Sequence, residues 1–215
     1  ILSASGLREG LLYGRLQPHQ KAQDPLLAGV ADFVSHRGAP PQLAARIAGW
    51  TVDAVPTGAA GSERVRLAAT MLSLASIQIE PNLRVDQAID WALHKRWMAI
   101  DAGARAQMAA TVSANCNELS LPRSLNRLAS PEALEEAICW GLAVRLARRI
   151  GARSRRSFQV SGLKRNGGKL VLRLQESHRN LYGIPVERDL GLLAERLGLE
   201  PTAEIVPDDT VWELA

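Results

Sequence analysis

Apolar residues recur every three or four positions up to about residue 150, which is the spacing of amphipathic helices packed around a shared core. The first predicted helix starts after Ser3 or Ser5. The second begins at the cap Asp24, has Pro25 in its first position and ends near Gly38, because these residue types favour those helix ends. In chain order, the helical stripes are Leu7-Leu11-Leu12-Leu16, Leu26-Leu27-Val30-Phe33-Val34, Leu43-Ile47-Trp50, Val65-Ala68-Ala69-Leu72, Val85-Ile89-Ala92-Leu93, the alanine-rich run 104–114 and Leu134-Ile138-Leu142-Leu146-Ile150.

The last of these stripes predicts the longest helix, which starts at Ser130-Pro131-Glu132 and has Gly151 as its C-cap. Beyond it the spacing becomes alternating, as in strands. The alternating residues are Phe158, Val160, Leu170, Leu172 and Leu174. Between them Arg165-Asn166-Gly167-Gly168 is a tight-turn signal, which predicts a β-hairpin. A further helical stripe, Leu190-Leu193-Leu197, ends at Gly198, and Thr202 to Val206 could add a last strand. We therefore predict a mainly α fold: a helical domain followed by a small α+β module.

Composition adds limits to this prediction. The 215 residues are 47% hydrophobic and 22% charged, and they are rich in Ala, Leu and Arg, which favours a globular helical protein. The net charge of +4 permits a polyanionic partner without requiring one. No apolar run reaches the roughly 20 residues of a membrane span, and the opening residues lack the pattern of a secretory signal, so we expect a cytoplasmic protein without a membrane partner. Because the chain begins with Ile1 instead of Met, we expect a processed or excised segment.

The chemistry-bearing residues suggest no catalytic or metal site. The four histidines (His19, His36, His94 and His178) are scattered, without H-x-x-x-H or H-E-x-x-H spacing. Cys116 and Cys139 form no C-x-x-C pair and are interpreted as structural cysteines. There is no G-x-S-x-G motif and no phosphate loop, and Gly167-Gly168 is interpreted as a hairpin turn.

The most suggestive feature is a cluster of basic residues around the end of the long predicted helix. It contains Arg145, Arg148, Arg149, Arg153, Arg155 and Arg156, and the hairpin follows with Lys164, Arg165, Lys169 and Arg173. A guanidinium fork matches phosphate oxygens in pairs, so the six arginines are candidates for holding a chain of phosphates. The alternative is that cations simply favour a helix C-terminus and solvate a surface. Both interpretations stay open at this point.

The opening segment Ser5-Gly6-Leu7-Arg8-Glu9-Gly10-Leu11-Leu12-Tyr13 resembles the stretch with which the exopolyphosphatase / guanosine pentaphosphate phosphohydrolase family leaves its actin-like domain. The resemblance implies that residues 1–16 end that domain or form a linker helix, that residues 17–150 form a helical domain similar to HD phosphohydrolases, and that residues 151–215 form the small α+β module. It covers the whole chain, strongly at the start and diffusely afterwards.

The resemblance also implies that the helical domain has lost its metal site. Leu74 stands where relatives have Asp, Glu80 where they have His, and a further His is replaced near Asn115 and Cys116, whereas Pro81, Arg84 and Gln87 are retained. The catalytic residues and the magnesium site of the family lie in the actin-like domain, which would precede Ile1. No catalytic residue, metal ligand or cofactor is therefore expected in this chain.

What the resemblance implies for function is a supporting role. The intact protein would hydrolyse terminal phosphates of inorganic polyphosphate or the 5′-phosphate of guanosine pentaphosphate, and this chain would help to bind the substrate, to form a homodimer, or both. Its expected partners are inorganic polyphosphate and the actin-like domain. Two alternatives remain: a basic nucleic-acid-binding module, which the scarcity of aromatic residues for base stacking makes the weaker one, and a pure dimerisation module.

Overall fold

The computed structural model describes residue 18 and residues 22–56, 58, 62–151 and 155–210. These ranges are mostly helical and end in a small mixed sheet, as the mainly α prediction requires. The helices are α1 Pro25–Ser35, α2 Pro41–Thr51, α3 Ser62–Ala75, α4 Arg84–His94, α5 Ala102–Asn115, α6 Pro131–Gly151 and α7 Ile184–Leu197. The strands are β1 Ser161–Asn166, β2 Lys169–Gln175 and β3 Glu200–Val206. The predicted first helix, with the motif at residues 5–13, lies outside the described residues.

Helix α1 has the ends that its sequence predicts. The Asp24 side chain accepts a hydrogen bond of 3.0 Å from the backbone N–H of Leu27, and Pro25 occupies the first turn. Beyond the helix, Gly38 adopts a left-handed conformation with φ of 68°. Local capping interactions therefore determine the start of α1 as the sequence predicts.

Helices α5 and α6 approach each other unusually closely, which sets the position of the arginines in α6. A Cβ at Gly141 would clash with the carbonyl oxygen of Thr111 and would lie 3.0 Å from the backbone nitrogen of Asn115. The facing residue Ala114 is fully buried and has only a methyl side chain, so the two helices can approach closely at this point. The end of α5 is thereby held beside the second half of α6.

The sheet has the order β1-β2-β3. Strands β1 and β2 form the predicted antiparallel hairpin, with Asn166 opposite Lys169 and left-handed Gly167 and Gly168 in the turn. The predicted last strand is also present: β3 pairs parallel to β2, and α7 forms the crossover between them. Gly198 ends α7 with φ of 66°, as expected for a C-cap glycine.

Two local predictions for the junction before the sheet are wrong. Gly151 is the last residue of α6 and has no positive φ; it is close to the ring of Phe158, which would clash with any Cβ there. Phe158 belongs to the 3-10 turn Arg155–Gln159, since strand pairing begins only at Ser161. Trp50 fixes this start, because its indole N–H donates to the Ser161 backbone oxygen at 3.2 Å.

The core continues from the helices into the sheet. Buried residues of α6, such as Leu146 and Ile150, belong to the same cluster as Leu172 of β2 and Leu193 of α7. The boundary that we placed near residue 150 stays a prediction. Within the described ranges, no helix combines the length and the apolar character that crossing a bilayer would require.

Candidate functional site

A cleft of about 780 Å³ opens where the end of α6 meets the start of α4, the end of α5 and the start of α7. Its polar lining includes Arg84, Asn115, Cys116, Arg145, Arg148, Arg149 and Asn180. Apolar side chains such as Leu43, Ile77 and Leu181 complete the walls. A cleft of this size with convergent charged groups is large enough for a small ligand.

Two of the arginines share one buried carboxylate. Asp189 in α7 is only 1% exposed, and its two oxygens accept hydrogen bonds from Nε of Arg145 at 2.8 Å and from Nε of Arg149 at 2.9 Å. The side chains of Arg145 and Arg149 are 17% and 47% exposed. The pairing therefore connects α6 to α7 at the rim of the cleft.

Arg148 lies deeper and has a neutral partner. One of its Nη atoms donates to the side-chain oxygen of Asn115 at 3.0 Å, and Asn115 is itself anchored by donating to the backbone oxygen of Ser73 at 3.3 Å. Burial lowers the pKa of Arg148, and the neighbouring guanidinium groups lower it further. Arginine nevertheless stays protonated in proteins, so this position is strongly electropositive.

Arg84 completes the group from the first turn of α4. Its Nε and one Nη donate to the backbone oxygen of Ile79 at 3.2 and 2.9 Å, and the same Nη reaches the oxygen of Ile77 at 3.1 Å. These bonds hold the guanidinium group in place without neutralising its charge. Arg84 is therefore a preorganised cation facing the cleft.

The balance of charge in the cleft favours anions. Four guanidinium groups line it, and among the described residues the one carboxylate that contacts them is Asp189. The N-terminus of α7 adds a partial positive charge, since Gly183, which precedes the helix, also lines the cleft and supplies no side-chain cap. Several fixed donors with few acceptors are what an oligophosphate requires.

The structure brings together half of the six predicted arginines. Arg145, Arg148 and Arg149 line the cleft, whereas Arg156 is exposed in the 3-10 turn and is not among the lining residues. Arg153 and the side chain of Arg155 lie outside the described residues. Sequence reasoning did not identify Arg84, Asn115 or Asp189 as site residues, because each reaches the cleft through a tertiary contact.

The basic residues of the hairpin are arranged differently. Arg173 forms an ion pair of 2.9 Å with Glu204, and the Lys169 amine lies 3.9 Å from a carboxylate oxygen of Glu200. Arg165 donates to the backbone oxygen of Val55 at 3.1 Å. The two charged pairs are neutralised across the strands, so this surface is a weaker candidate for binding an anion.

Among the described residues, the remaining reactive groups form no recognisable catalytic set. Ser177, His178 and Asp208 lie together, and the Ser177 hydroxyl is 2.8 Å from Nδ1 of His178, but Asp208 accepts from the backbone N–H of Ser177 instead of orienting the imidazole. Burial raises the pKa of the Cys116 thiol and raises that of Cys139 to about 12. Both thiols are therefore poor nucleophiles at neutral pH.

Two other histidines form hydrogen bonds to residues four positions earlier in the chain. His36 contacts the backbone oxygen of Asp32, and His94 pairs with Asp90 on an exposed face of α4. His19 lies outside the described residues. Throughout the described ranges, no three or more His, Cys, Asp or Glu side chains are grouped as metal ligands would be.

Comparison with protein-family models found no match to this chain, and comparison with curated proteins found none either. The assignment of function therefore depends on the cleft and on the resemblance of the opening motif.

Proposed function

We propose that this chain binds a linear oligophosphate in the cleft, as the non-catalytic portion of a protein that hydrolyses inorganic polyphosphate or guanosine pentaphosphate. The observation that carries the proposal is the convergence of Arg84, Arg145, Arg148 and Arg149 on one cleft, where Asp189 is the single contacting carboxylate among the described residues. Each charge-assisted hydrogen bond to a phosphate contributes roughly 1.5–3 kcal/mol, so several together give useful affinity.

The resemblance to the exopolyphosphatase family supports the same role. Leu74, Asn115 and Cys116, at or near the positions where relatives have metal ligands, line this cleft together with the retained Arg84. Glu80, which replaces a further His, is exposed outside the cleft lining. An HD-like helical domain whose metal site has become an anion site accounts for both features. In this proposal the actin-like domain supplies catalysis and magnesium, and the intact protein is a homodimer.

Calorimetric titration of the purified chain with inorganic tripolyphosphate tests the proposal. We expect one site per chain, at least about 10-fold weaker binding after Arg148→Ala, from the loss of one charge-assisted contact, and little change after Arg123→Ala. Arg123 is a suitable control because it is exposed and outside the cleft lining. Equal losses in the two variants would contradict the proposal.

The alternatives give different results in the same experiment. Equal or tighter binding of a short duplex DNA at the same ionic strength would favour a nucleic-acid module, whose affinity should fall steeply with salt. A stable dimer in sedimentation that binds neither anion would favour a pure dimerisation module. We also expect the chain alone to release no phosphate from polyphosphate with magnesium, and turnover that follows the purified chain would contradict its non-catalytic role.

A further inference from the structure

Asp189 is a negative charge placed beside a site that we propose to bind anions. It is 1% exposed, so a ligand or a counterion does not reach it directly, and among the described residues its ion pairs with the cleft lining are those with Arg145 and Arg149. By charge alone, a carboxylate here should weaken the binding of phosphate. Its position therefore calls for a role that outweighs this repulsion.

The hydrogen-bond geometry indicates such a role. A guanidinium group has a side edge, which includes Nε, and an end edge formed by its two Nη atoms. Asp189 accepts from Nε of both arginines, at 2.8 and 2.9 Å. No described residue accepts a hydrogen bond from an Nη atom of Arg145 or Arg149, so the described part of the chain occupies neither end edge. A phosphate can accept two hydrogen bonds from such an edge.

We infer that Asp189 is a positioning residue: it holds Arg145 and Arg149 by their Nε atoms, so that their end edges face an oligophosphate in the cleft. The inference depends on the proposed function and extends it. Ordering a long side chain on binding weakens affinity by roughly 2- to 12-fold for each one. Arginines that are already held in place avoid this loss, and Asp189 holds two of them at once.

The replacement Asp189→Asn distinguishes a positioning role from an effect of charge, because the two predict opposite changes in the affinity for tripolyphosphate. An asparagine presents one acceptor and one amide donor, so it can hold one arginine but would oppose the N–H of the other. We expect tripolyphosphate to bind at least about 3-fold more weakly, although the chain loses a negative charge. The matched control Asp209→Asn makes the same charge change at an exposed residue outside the cleft lining and should bind as well as the wild type or slightly better.

A double-mutant cycle separates positioning from simple loss of stability. In the Arg145→Ala/Arg149→Ala background, Asp189 has no arginine to position, so Asp189→Asn should leave binding unchanged or strengthen it by removing repulsion. A structural role that does not act through the two arginines would instead weaken binding in both backgrounds, and one that does would lower the free energy of unfolding of Asp189→Asn in the wild-type background. Circular dichroism at the titration temperature establishes that each variant is folded.

Arg149→Lys is a second variant, and the fold should tolerate it because this side chain is 47% exposed. Lysine keeps the charge but cannot be held at one edge while it presents another. We expect about 3-fold weaker binding or more. If the wild type binds and both Asp189→Asn and Arg149→Lys bind as tightly as it does, the inference is wrong and the proposed function survives. If the wild type does not bind tripolyphosphate, both are wrong.

Discussion

The cleft and the hairpin are both rich in arginine and lysine, yet their charges are used differently. The second strand of the hairpin, β2, pairs in parallel register with β3, which places Lys169 opposite Glu200 and Arg173 opposite Glu204, so charges of opposite sign meet across neighbouring strands. In the cleft, four arginines from two helices converge, and among the described residues one carboxylate, Asp189, pairs with two of them. The hairpin cations stabilise the sheet through these pairs, whereas the cleft arginines keep N–H groups that can donate to a ligand.

The comparison shows that the arrangement of charges matters more than their number. An exposed ion pair contributes roughly 0–1 kcal/mol and leaves little net charge for a partner. Guanidinium groups held by backbone oxygens or by an amide, as Arg84 and Arg148 are, keep their charge and a fixed orientation. A basic cluster in a sequence indicates a binding site only after its carboxylate partners have been located.

The largest expected effect comes from removing two cations from each region. Arg84→Ala/Arg148→Ala should weaken the binding of tripolyphosphate by a factor on the order of 100 to 10,000, since two charge-assisted contacts are lost. Lys169→Ala/Arg173→Ala removes the same charge and should change the dissociation constant by less than about 3-fold, because its charges are already paired. Titration calorimetry at one ionic strength measures both, and similar losses would remove the distinction between the regions.

A smaller effect is expected from changing the helix contact that supports the cleft. Gly141→Ala should destabilise the fold by about 3 kcal/mol, because its Cβ would clash with the Thr111 backbone, and it should also weaken binding by moving Asn115 away from Arg148. Gly191→Ala in α7 has open space around it and should stabilise the fold by about 0.5–1 kcal/mol. Chemical denaturation measures both changes. A neutral Gly141→Ala would show that close packing of α5 and α6 is not needed.

Labelling of the two cysteines measures access to the cleft, because Cys116 lines it and Cys139 is outside the lining. Thiolate is the reactive form and burial raises both pKa values, so labelling should be slow at pH 8 and accelerate as the pH rises. Cys139, with a pKa of about 12, should stay protonated and unlabelled up to about pH 10. Tripolyphosphate should slow the labelling of Cys116 several-fold and leave Cys139 unaffected, as measured by mass spectrometry. Unchanged labelling of Cys116 at a saturating concentration would argue against occupancy of the cleft.

The smallest effect is expected from releasing the hairpin cations. Glu200→Gln/Glu204→Gln removes both carboxylates and makes the net charge more positive by two, but Lys169 and Arg173 then lie on an open strand surface without converging on a cavity. We expect the affinity for tripolyphosphate to rise by no more than about 3-fold. A rise as large as the loss in the cleft variants would mean that net charge alone determines binding.

Local chemistry predicted much of the fold from the sequence. Asp24 and Pro25 mark the start of α1, and Asn166 with Gly167 and Gly168 marks the hairpin, because these residues act on their own backbone. The helix-end arginines were also visible. The prediction for Gly151 was wrong, because a glycine is needed there to leave room for the ring of Phe158 and not to cap the helix.

The completed site could not be predicted in the same way. Arg84 enters the cleft only through the packing of α4, and Asp189 meets Arg145 and Arg149 only through the contact of α7 with α6. No spacing along the chain identifies such partners. For the same reason, the sequence could not distinguish the paired cations of the hairpin from those of the cleft.

The central claim is that an oligophosphate occupies the cleft, and arginine side-chain NMR tests it most directly. In a titration with tripolyphosphate, the Nε–Hε signals of Arg84, Arg145, Arg148 and Arg149 should move together with one dissociation constant, while those of Arg165 and Arg173 in the hairpin stay in place. Shifts spread evenly over both regions, or confined to the hairpin, would contradict the account.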